Sequence, residues 1–329
     1  MSIKDIYFDN RYGQLYEKME NGICEVFEIE NEYGKIKHMY IKRSIPHLIS
    51  GERYYDIVTP YGYGGPIIIK GSNETKEFLL YDFKKKFKKY CIEQNIVSEF
   101  IRFHPMLNNA QDFNICYDTL HIRNTVGTNL GRYEDPFQEE FSKSCRKNIR
   151  KALKEGVEFK VTHKPEDIRS FIDIYYSTMD RNNAADYYYF DEEYFSKCLD
   201  AFQENIILVE AIYNEQVIAM GFYFVFDKFI HIHLSGTLSE FLYLSPAYVL
   251  RYAITLWGKE NGYKYIHHGG GRTSDPSDTL YKFKKQFGKN TEFEFYVGKQ
   301  IWNQDVYDQL CEINNIDQDI EFFPAYRSN

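Results

Sequence analysis

Residues 263–288 read YKYIHHGGGRTSDPSDTLYKFKKQFG. Residues 263–268 have strand character, and Gly269, Gly270 and Gly271 follow. A helix start comes next. Asp275 is placed to act as N-cap, Pro276 suits the first helical position, and Asp278 stands three residues after the cap. Lys282, Lys284, Lys285 and Lys289 follow. A strand that ends in a flexible loop before a helix N-terminus leaves backbone N–H groups without intrahelical partners, an arrangement that receives anions. Neither standard phosphate motif is met. Ser274 takes the last glycine position of G-x-G-x-x-G, and no G-x-x-x-x-G-K-[ST] occurs. By itself the stretch reads equally as a Gly-rich link before a solvated basic helix.

The elements around it follow from turn chemistry and hydrophobic period. Residues 206–213, 216–226 and 229–236 are apolar runs separated only by Asn214–Glu215 and Asp227–Lys228. Two-residue links are too short for a crossover, so three strands pair antiparallel. Before them the pattern gives a strand at 157–161, a helix at 166–179 and a helix at 191–202. Ile168, Phe171, Ile172, Tyr175 and Met179 share one side of the first of these helices. After the meander, a helix at 246–261 leads through Gly262 into the strand at 263–268, and a strand at 291–297 closes the half. A long helix is expected at 135–155. Asp135 caps it, Pro136 opens it, Gln138 completes a capping-box-like spacing, and Gly156 ends it in a left-handed conformation.

The first half reads as a helix at 12–19, a hairpin of 24–29 with 35–41 around Asn31 and Gly34, and a strand at 54–58. TPYGYGGPIII, residues 59–69, reads as an irregular loop. A helix at 74–91 puts Phe78, Leu79, Phe83, Phe87 and Tyr90 on one face, and strands follow at 97–103 and 114–120. Loop, helix 74–91, turn at Asn95 and strand 97–103 repeat the order of loop, helix 246–261, turn at Gly262 and strand 263–268. That echo suggests an internal duplication. At 329 residues the chain suits two domains. Their border is expected near the start of helix 135–155.

Composition narrows the function. Hydrophobic residues make up 43% of the chain, enough to build real cores. The 30 Tyr and 26 Phe point to clefts lined by amphipathic rings, or to half-buried packing. A formal net charge of −8 argues against a general nucleic-acid coat and against DNA as partner, though not against a local basic groove. Six cysteines lie scattered without a C-x-x-C pair, as expected of reduced, packed thiols. The N-terminus MSIKDIYFDNRYG has no apolar signal core, and no apolar run approaches a membrane span. A cytoplasmic protein without an integral membrane segment is expected.

The order strand, two helices, three-strand meander, helix, strand, helix, strand resembles the GNAT acyltransferase fold. Several words narrow the resemblance: SKSCRKNIRKALKEGVEF, GFYFVF, YLSPAYVLRYAITLWGKENGYKYIHHGGG and TLYKFKKQFG, together with TPYGYGGP in the first half. They are similar to the FemAB-like (peptidoglycan bridge peptidyltransferase type) branch, over nearly the whole chain. The resemblance implies an α/β mixed-sheet fold of two tandem GNAT-like domains. The first, 1–140 with the tail 303–329, would bind acceptor. The second, 141–302, would bind donor and carry catalysis. No charged heptad insertion is present, so the coiled-coil arm of larger members is not expected. The implied activity moves an acyl or aminoacyl group, from aminoacyl-tRNA or acyl-CoA, to an amine of an anionic nucleotide-linked or envelope precursor. No cofactor is required, and acyl-CoA would be a donor substrate.

Acyl transfer to an amine needs donor and amine at near-attack distance, positive charge or N–H groups at the developing oxyanion, and an outlet for the amine proton. By resemblance, Lys284 of F-K-x-x-F takes the oxyanion role, with Phe283 and Phe287 beside it to exclude water; it reads equally as one of several surface lysines. Gly269, Gly270 and Gly271 would floor the donor site. Ser245 and Ala247 stand where CoA-using GNAT enzymes carry [QR]-x-x-G-x-[GA]. Here that stretch is SEFLYLSPAYVL, without the glycines, which leans toward aminoacyl-tRNA or toward CoA bound differently. Lys143, Arg146, Lys147, Arg150, Lys151 and Lys154 recur at steps of three and four, so a shared basic face can meet phosphates or remain solvated. Arg146 and Arg150 are chosen because guanidinium suits bidentate contact. Tyr61, Tyr63 and Gly64 form either a lip for the acceptor or a tight structural turn. His231, His233, His267 and His268 lack a carboxylate or cysteine set, so no metal site is expected. Two other functions fit the same residues: a GNAT N-acetyltransferase acting on an amino sugar or polysaccharide precursor, and a non-catalytic nucleotide-sugar binding module.

Overall fold

A computed structural model of the chain describes residues 4–275, 277–317 and 320–328. The chain divides into two compact units, residues 1–122 with 294–329 and residues 123–293. The sequence reading set the borders at 140 and 302. The difference follows from strand pairing and one buried carboxylate, as given below for each unit.

The first unit opens with helices α1 (Asn10–Leu15) and α2 (Glu17–Glu20). Strands β1 (Gly22–Asn31), β2 (Gly34–Ile49) and β3 (Glu52–Val58) form an antiparallel meander. The β1–β2 turn is fixed by the Asn31 side chain, whose Oδ1 accepts from Tyr33 N and Gly34 N. The 59–69 stretch stays irregular through Pro66 and then becomes β4 (Ile67–Gly71), paired with β2. Helix α3 (Lys76–Glu93) buries Leu79, Leu80, Phe83, Phe87 and Cys91, while Phe78 is exposed. It returns the chain to β5 (Ile96–Arg102), parallel to β3. After the short α4 (Asn109–Asp112), β6 (Asp118–Asn129) begins four residues later than expected and runs on into the second unit.

In the second unit the helix expected at 135–155 is two helices, α5 (Pro136–Glu140) and α6 (Lys143–Lys154). Asp135 caps α5 as predicted, and Gly156 ends the pair at φ +94°. Between the two, Phe141 is extended, and the Ser142 side chain caps α6 by accepting from Cys145 N at 3.1 Å. The Ser142 N–H donates instead to Gln286 O at 2.8 Å, so a long-range bond replaces a helical one. The buried Glu140 carboxylate accepts from Asn129 N, Asn290 N and Thr291 Oγ1, tying this region to the second unit.

Next come β7 (Glu158–His163), α7 (Arg169–Arg181), α8 (Glu192–Phe202), β8 (Ile206–Tyr213), β9 (Gln216–Phe226) and β10 (Phe229–Thr237). The meander is antiparallel throughout. Its two-residue turn Asn214–Glu215 has both residues at positive φ, the backbone that matches strand twist. Helix α9 (Pro246–Glu260) crosses to β11 (Tyr265–Gly269), which lies parallel to β10. On its other side β11 pairs antiparallel with Val126–Asn129 of β6. Helix α10 (Thr279–Lys285) follows, then β12 (Glu292–Ile301), whose later residues pair with β5 in the first unit. Helix α11 (Gln304–Ile313) completes that unit. Its Val306, Tyr307, Leu310 and Cys311 pack with Ile45, Ile49, Val97 and Tyr326. Among the described residues no helix is long and apolar enough to cross a membrane.

The expected echo between halves is present as topology. The meander β1–β2–β3, helix α3 and strand β5, parallel to β3, repeat as β8–β9–β10, α9 and β11, parallel to β10. The fold is a mixed α/β architecture of tandem GNAT-like units.

Candidate active site

The candidate site of the second unit lies where two strands part. Strand β10 pairs with β11 only through Phe229–Tyr265, Ile230–Ile266 and His231–His267, although β10 continues to Thr237. Both strands are also irregular here. The β10 register slips between Ile232 and Leu234, and the β11 register against β6 slips between His267 and Gly269. Such bulges re-aim side chains at a sheet opening. Gly269, at φ +76°, takes the backbone out of the strand in a conformation that favours glycine.

The helix cap after the glycines differs from the sequence reading. Helix α10 starts at Thr279, and its N-cap is Asp278, whose carboxylate accepts from Tyr281 N at 2.8 Å. The other carboxylate oxygen accepts from Arg272 N at 2.9 Å and Thr273 N at 3.0 Å. These bonds hold Asp278 well below the usual carboxylate range, at about 2. Asp275 instead closes a local turn by accepting from Ser277 N. The Asp278 cap won because it satisfies the helix and the glycine loop together. Pro276, expected at the first helical position, lies outside the described residues. The loop N–H groups that seemed open to an anion are therefore occupied by Asp278. A Cβ on Gly271 would lie 2.8 Å from that carboxyl.

Lys284 projects from α10 to the glycines. Its Nζ donates to Gly270 O at 2.7 Å. Burial lowers its pKa to about 7, aided by the guanidinium groups of Arg251 and Arg123 and opposed by Asp278. Arg123 in turn donates from Nη1 to Gly271 O at 2.8 Å. Phe283 and Phe287, on either side of Lys284 in sequence, each pack against Tyr248 of α9. Phe287 is fully buried with Phe137, Phe141, Cys145 and Ile149, which pins the short α10 onto α5 and α6.

His268 lies at the same strand end and is buried. Its Nε2 is 2.8 Å from Thr128 Oγ1, and Thr128 Oγ1 donates to Phe287 O at 2.7 Å. A hydroxyl has one proton, so Nε2 must carry the hydrogen and Nδ1 is left as an acceptor. That Nδ1 has no partner among the described residues. Burial, then Arg251 and Lys284, hold the imidazole well below its ordinary pKa, so it is neutral. His267 Nε2 meets Thr125 Oγ1 at 2.9 Å, and His233 Nε2 meets Tyr194 OH at 2.7 Å.

The remaining predicted residues are placed as follows. Ser245 adopts φ +53° at the entrance to α9, without a side-chain cap bond, and Ala247 is in the first turn. Arg146 donates from Nη1 to Gln138 O at 2.8 Å and Phe141 O at 2.5 Å, bridging the α5–α6 break. Arg150 is exposed, its guanidinium 5.7 Å from the Phe137 ring. Tyr61, Tyr63 and Gly64 belong to the first unit. Tyr61 O accepts from Tyr12 OH, the Tyr61 ring stacks on Tyr16, and Tyr63 packs edge-on against Tyr7. Gly64 N donates to Arg102 O, and Gly64 O accepts from Asn109 Nδ2.

Sequence reasoning missed Arg123, Arg251 and the cap at Asp278. One signal was available for Arg251. It stands at i+4 from Ala247 and i−3 from Ile254, an arginine on the apolar stripe of α9. Arg123 carried no such signal, because only the pairing of β6 with β11 brings it to the glycines.

Residues 139–285 match the acetyltransferase (GNAT) domain family. No curated protein sequence matches the chain. Among solved structures, FemX superposes with a TM-score of 0.70 at 14% identity, over 93% of this chain and 94% of that one. The C-terminal domain of a putative lysylphosphatidylglycerol synthetase from Agrobacterium fabrum superposes at 0.55 and 14% identity, over 92% and 94%. L-PGS from Bacillus licheniformis gives 0.53 and 13%, over 91% and 93%. Residues 139–285 thus match a GNAT acetyltransferase domain, and the fold of the chain is similar to that of FemX.

Proposed function

We propose that the chain transfers an aminoacyl group from aminoacyl-tRNA to an amine of an anionic, nucleotide-linked cell-envelope precursor, with Lys284 at the reacting carbonyl. The observation that carries this reading is the Lys284 ammonium held 2.7 Å from Gly270 O, at the mouth of the parted strands. As the amine nitrogen attacks the donor carbonyl carbon, negative charge develops on the carbonyl oxygen. Lys284 meets that charge. Collapse of the adduct expels the donor's ribose oxygen, and the amine proton leaves to water, substrate or a side chain. His268 Nδ1 is a side-chain acceptor at this strand end. The FemAB-like fold and the similarity to a putative lysylphosphatidylglycerol synthetase support an aminoacyl donor. The first unit, with Tyr61, Tyr63 and Gly64, would hold the acceptor, and Arg150 would meet phosphate.

Acyl-CoA is the second donor, favoured by the GNAT family match and by the N-terminus of α9 at Ser245 and Ala247. Mass spectrometry of nucleotide-linked precursors incubated with charged tRNA or acyl-CoA decides between them. Product from acyl-CoA and never from charged tRNA removes the aminoacyl reading. Lys284→Met is expected to lower turnover about 100-fold or more, in the range of an oxyanion donor, while acceptor binding persists. Unchanged turnover rejects Lys284 as a catalytic residue. A chain that binds acceptor and turns over neither donor is a binding module.

A further inference from the structure

A groove lies at the end of β11 away from the glycines. Its volume is about 510 Å³, and it is lined by Asn129, Gly131, Arg132, Lys264 and Tyr265. Tyr265 precedes Gly269 by the length of β11, about 13 Å along a strand, so the groove is apart from Gly270 and the Lys284 ammonium. The backbone that lines it is tied down. Tyr265 pairs with Asn129 across the β6–β11 ladder. Leu130 N and Gly131 N both donate to Lys264 O, at 2.8 and 3.2 Å, and Arg132 N donates to Asn129 Oδ1 at 2.9 Å. Lys259 Nζ holds the same turn by donating to Leu130 O at 3.0 Å and Tyr133 O at 2.7 Å. Lys259 therefore spends its donors on the fold. Arg132 and Lys264 do not: both are exposed, and neither is ion-paired among the described residues. No carboxylate is among the described residues that line the groove. The Arg132 guanidinium is 5.4 Å from the Tyr133 ring. The Lys264 stem lies against Gly131, where a Cβ would come within 2.9 Å of Lys264 Cδ. The half-buried Tyr265 ring, stacked on Phe229 and edge-on to Phe293, gives the groove a fixed aromatic wall.

We infer that this groove binds a phosphate-bearing small molecule, a sugar phosphate or nucleotide, at a site separate from Lys284. A phosphate monoester carries a charge of about −1.5 to −2 near pH 7, which a guanidinium and an ammonium together match. Arg132 supplies a planar fork suited to two phosphate oxygens, and Lys264 supplies a point charge. A volume of about 510 Å³ falls in the range of small-molecule sites and is more than a bare ion fills. A sugar or base beside the Tyr265 ring completes the ligand. The site stands independently of the proposed acyl transfer.

The test is isothermal titration calorimetry of the full-length chain with inorganic phosphate, ribose 5-phosphate, AMP and adenosine. The two organic phosphates are expected to bind, and adenosine is not. AMP binding tighter than ribose 5-phosphate marks the ligand as a nucleotide; otherwise it is a sugar phosphate. Inorganic phosphate binding as tightly as either organic probe means an adventitious ion only and overturns the site, as does no binding at all. Adenosine binding as tightly as AMP overturns it too, because the cations would then play no part. Variants place the ligand. Arg132→Met and Lys264→Met, both at exposed positions, are each expected to weaken the tighter organic probe about tenfold or more, as for the loss of a charge-assisted bond. Gly131→Ala keeps both charges but displaces the Lys264 stem, so it is expected to weaken binding as well; unchanged binding there takes Lys264 out of the site. Lys284→Met is expected to bind the probe as the wild-type chain does. Binding lost in Lys284→Met and kept in Arg132→Met puts the phosphate at the candidate active site and overturns the groove.

Discussion

Lys284 makes pH the sharpest probe at the scale of single residues. Its folded pKa is about 7, below the ordinary 10.5. An oxyanion role needs the ammonium, so kcat/KM is expected to fall as pH rises through about 7. Lys284→Arg, charged throughout, should lose that alkaline fall even at reduced activity. A rate that instead rises through the same midpoint would make the neutral amine a base. Stability runs in the same direction as deprotonation. Between the folded value of about 7 and the unfolded 10.5, the unfolded chain binds the extra proton, so this site adds stability as pH rises. The contribution is lost as pH falls through the folded pKa. Lys284→Met removes the dependence, and chemical denaturation of both proteins across that window measures it.

At the scale of elements, α10 depends on what it rests against. Seven residues cannot hold a helix alone. Phe287 supplies the anchor, packed on Phe141 and Tyr248, while Gln286 O accepts from Ser142 N. Phe287→Ala is expected to cost about 3–5 kcal/mol in denaturant unfolding, as for a buried Phe truncated in a core. It should also reduce turnover with Lys284 chemically intact, because the ammonium no longer stays at Gly270. Full turnover in Phe287→Ala would mean that α10 is held by other contacts. The same packing explains the helix expected at 135–155. Local capping signals marked its two ends correctly. The break at Phe141 and Ser142 came from Glu140 and Ser142 bonding residues near 290 and 286.

At the scale of the whole chain, each unit repeats one plan, and each completes its sheet with a strand from elsewhere in sequence. Strand β5 is flanked by β12, and β11 by β6. The C-terminal residues are part of the first unit's core, with α11 on β2 and β5 and Arg327 on Asp56. Truncation after Trp302 removes Val306, Tyr307, Leu310 and Tyr326 from that cluster. Native-state hydrogen exchange is expected to show lost protection in β2, β3 and β5, with β8, β9 and β10 retained. Uniform loss in both units would contradict separate cores.

The sequence by itself determined the meander, the crossover through α9 and the helix carrying Lys284. Period-two apolar runs, two-residue turns and the Gly262 stop act through neighbouring residues, so they are readable without the fold. Only tertiary structure decided the rest. Asp275 and Asp278 are both competent caps locally, and the glycine loop's need for a shared acceptor chose Asp278. The parting of β10 from β11 depends on a bulge beside each strand's last pairings. Arg251 reads in sequence as one more charge on a helix. Burial against Tyr223 makes it a buried cation that no carboxylate pairs with among the described residues.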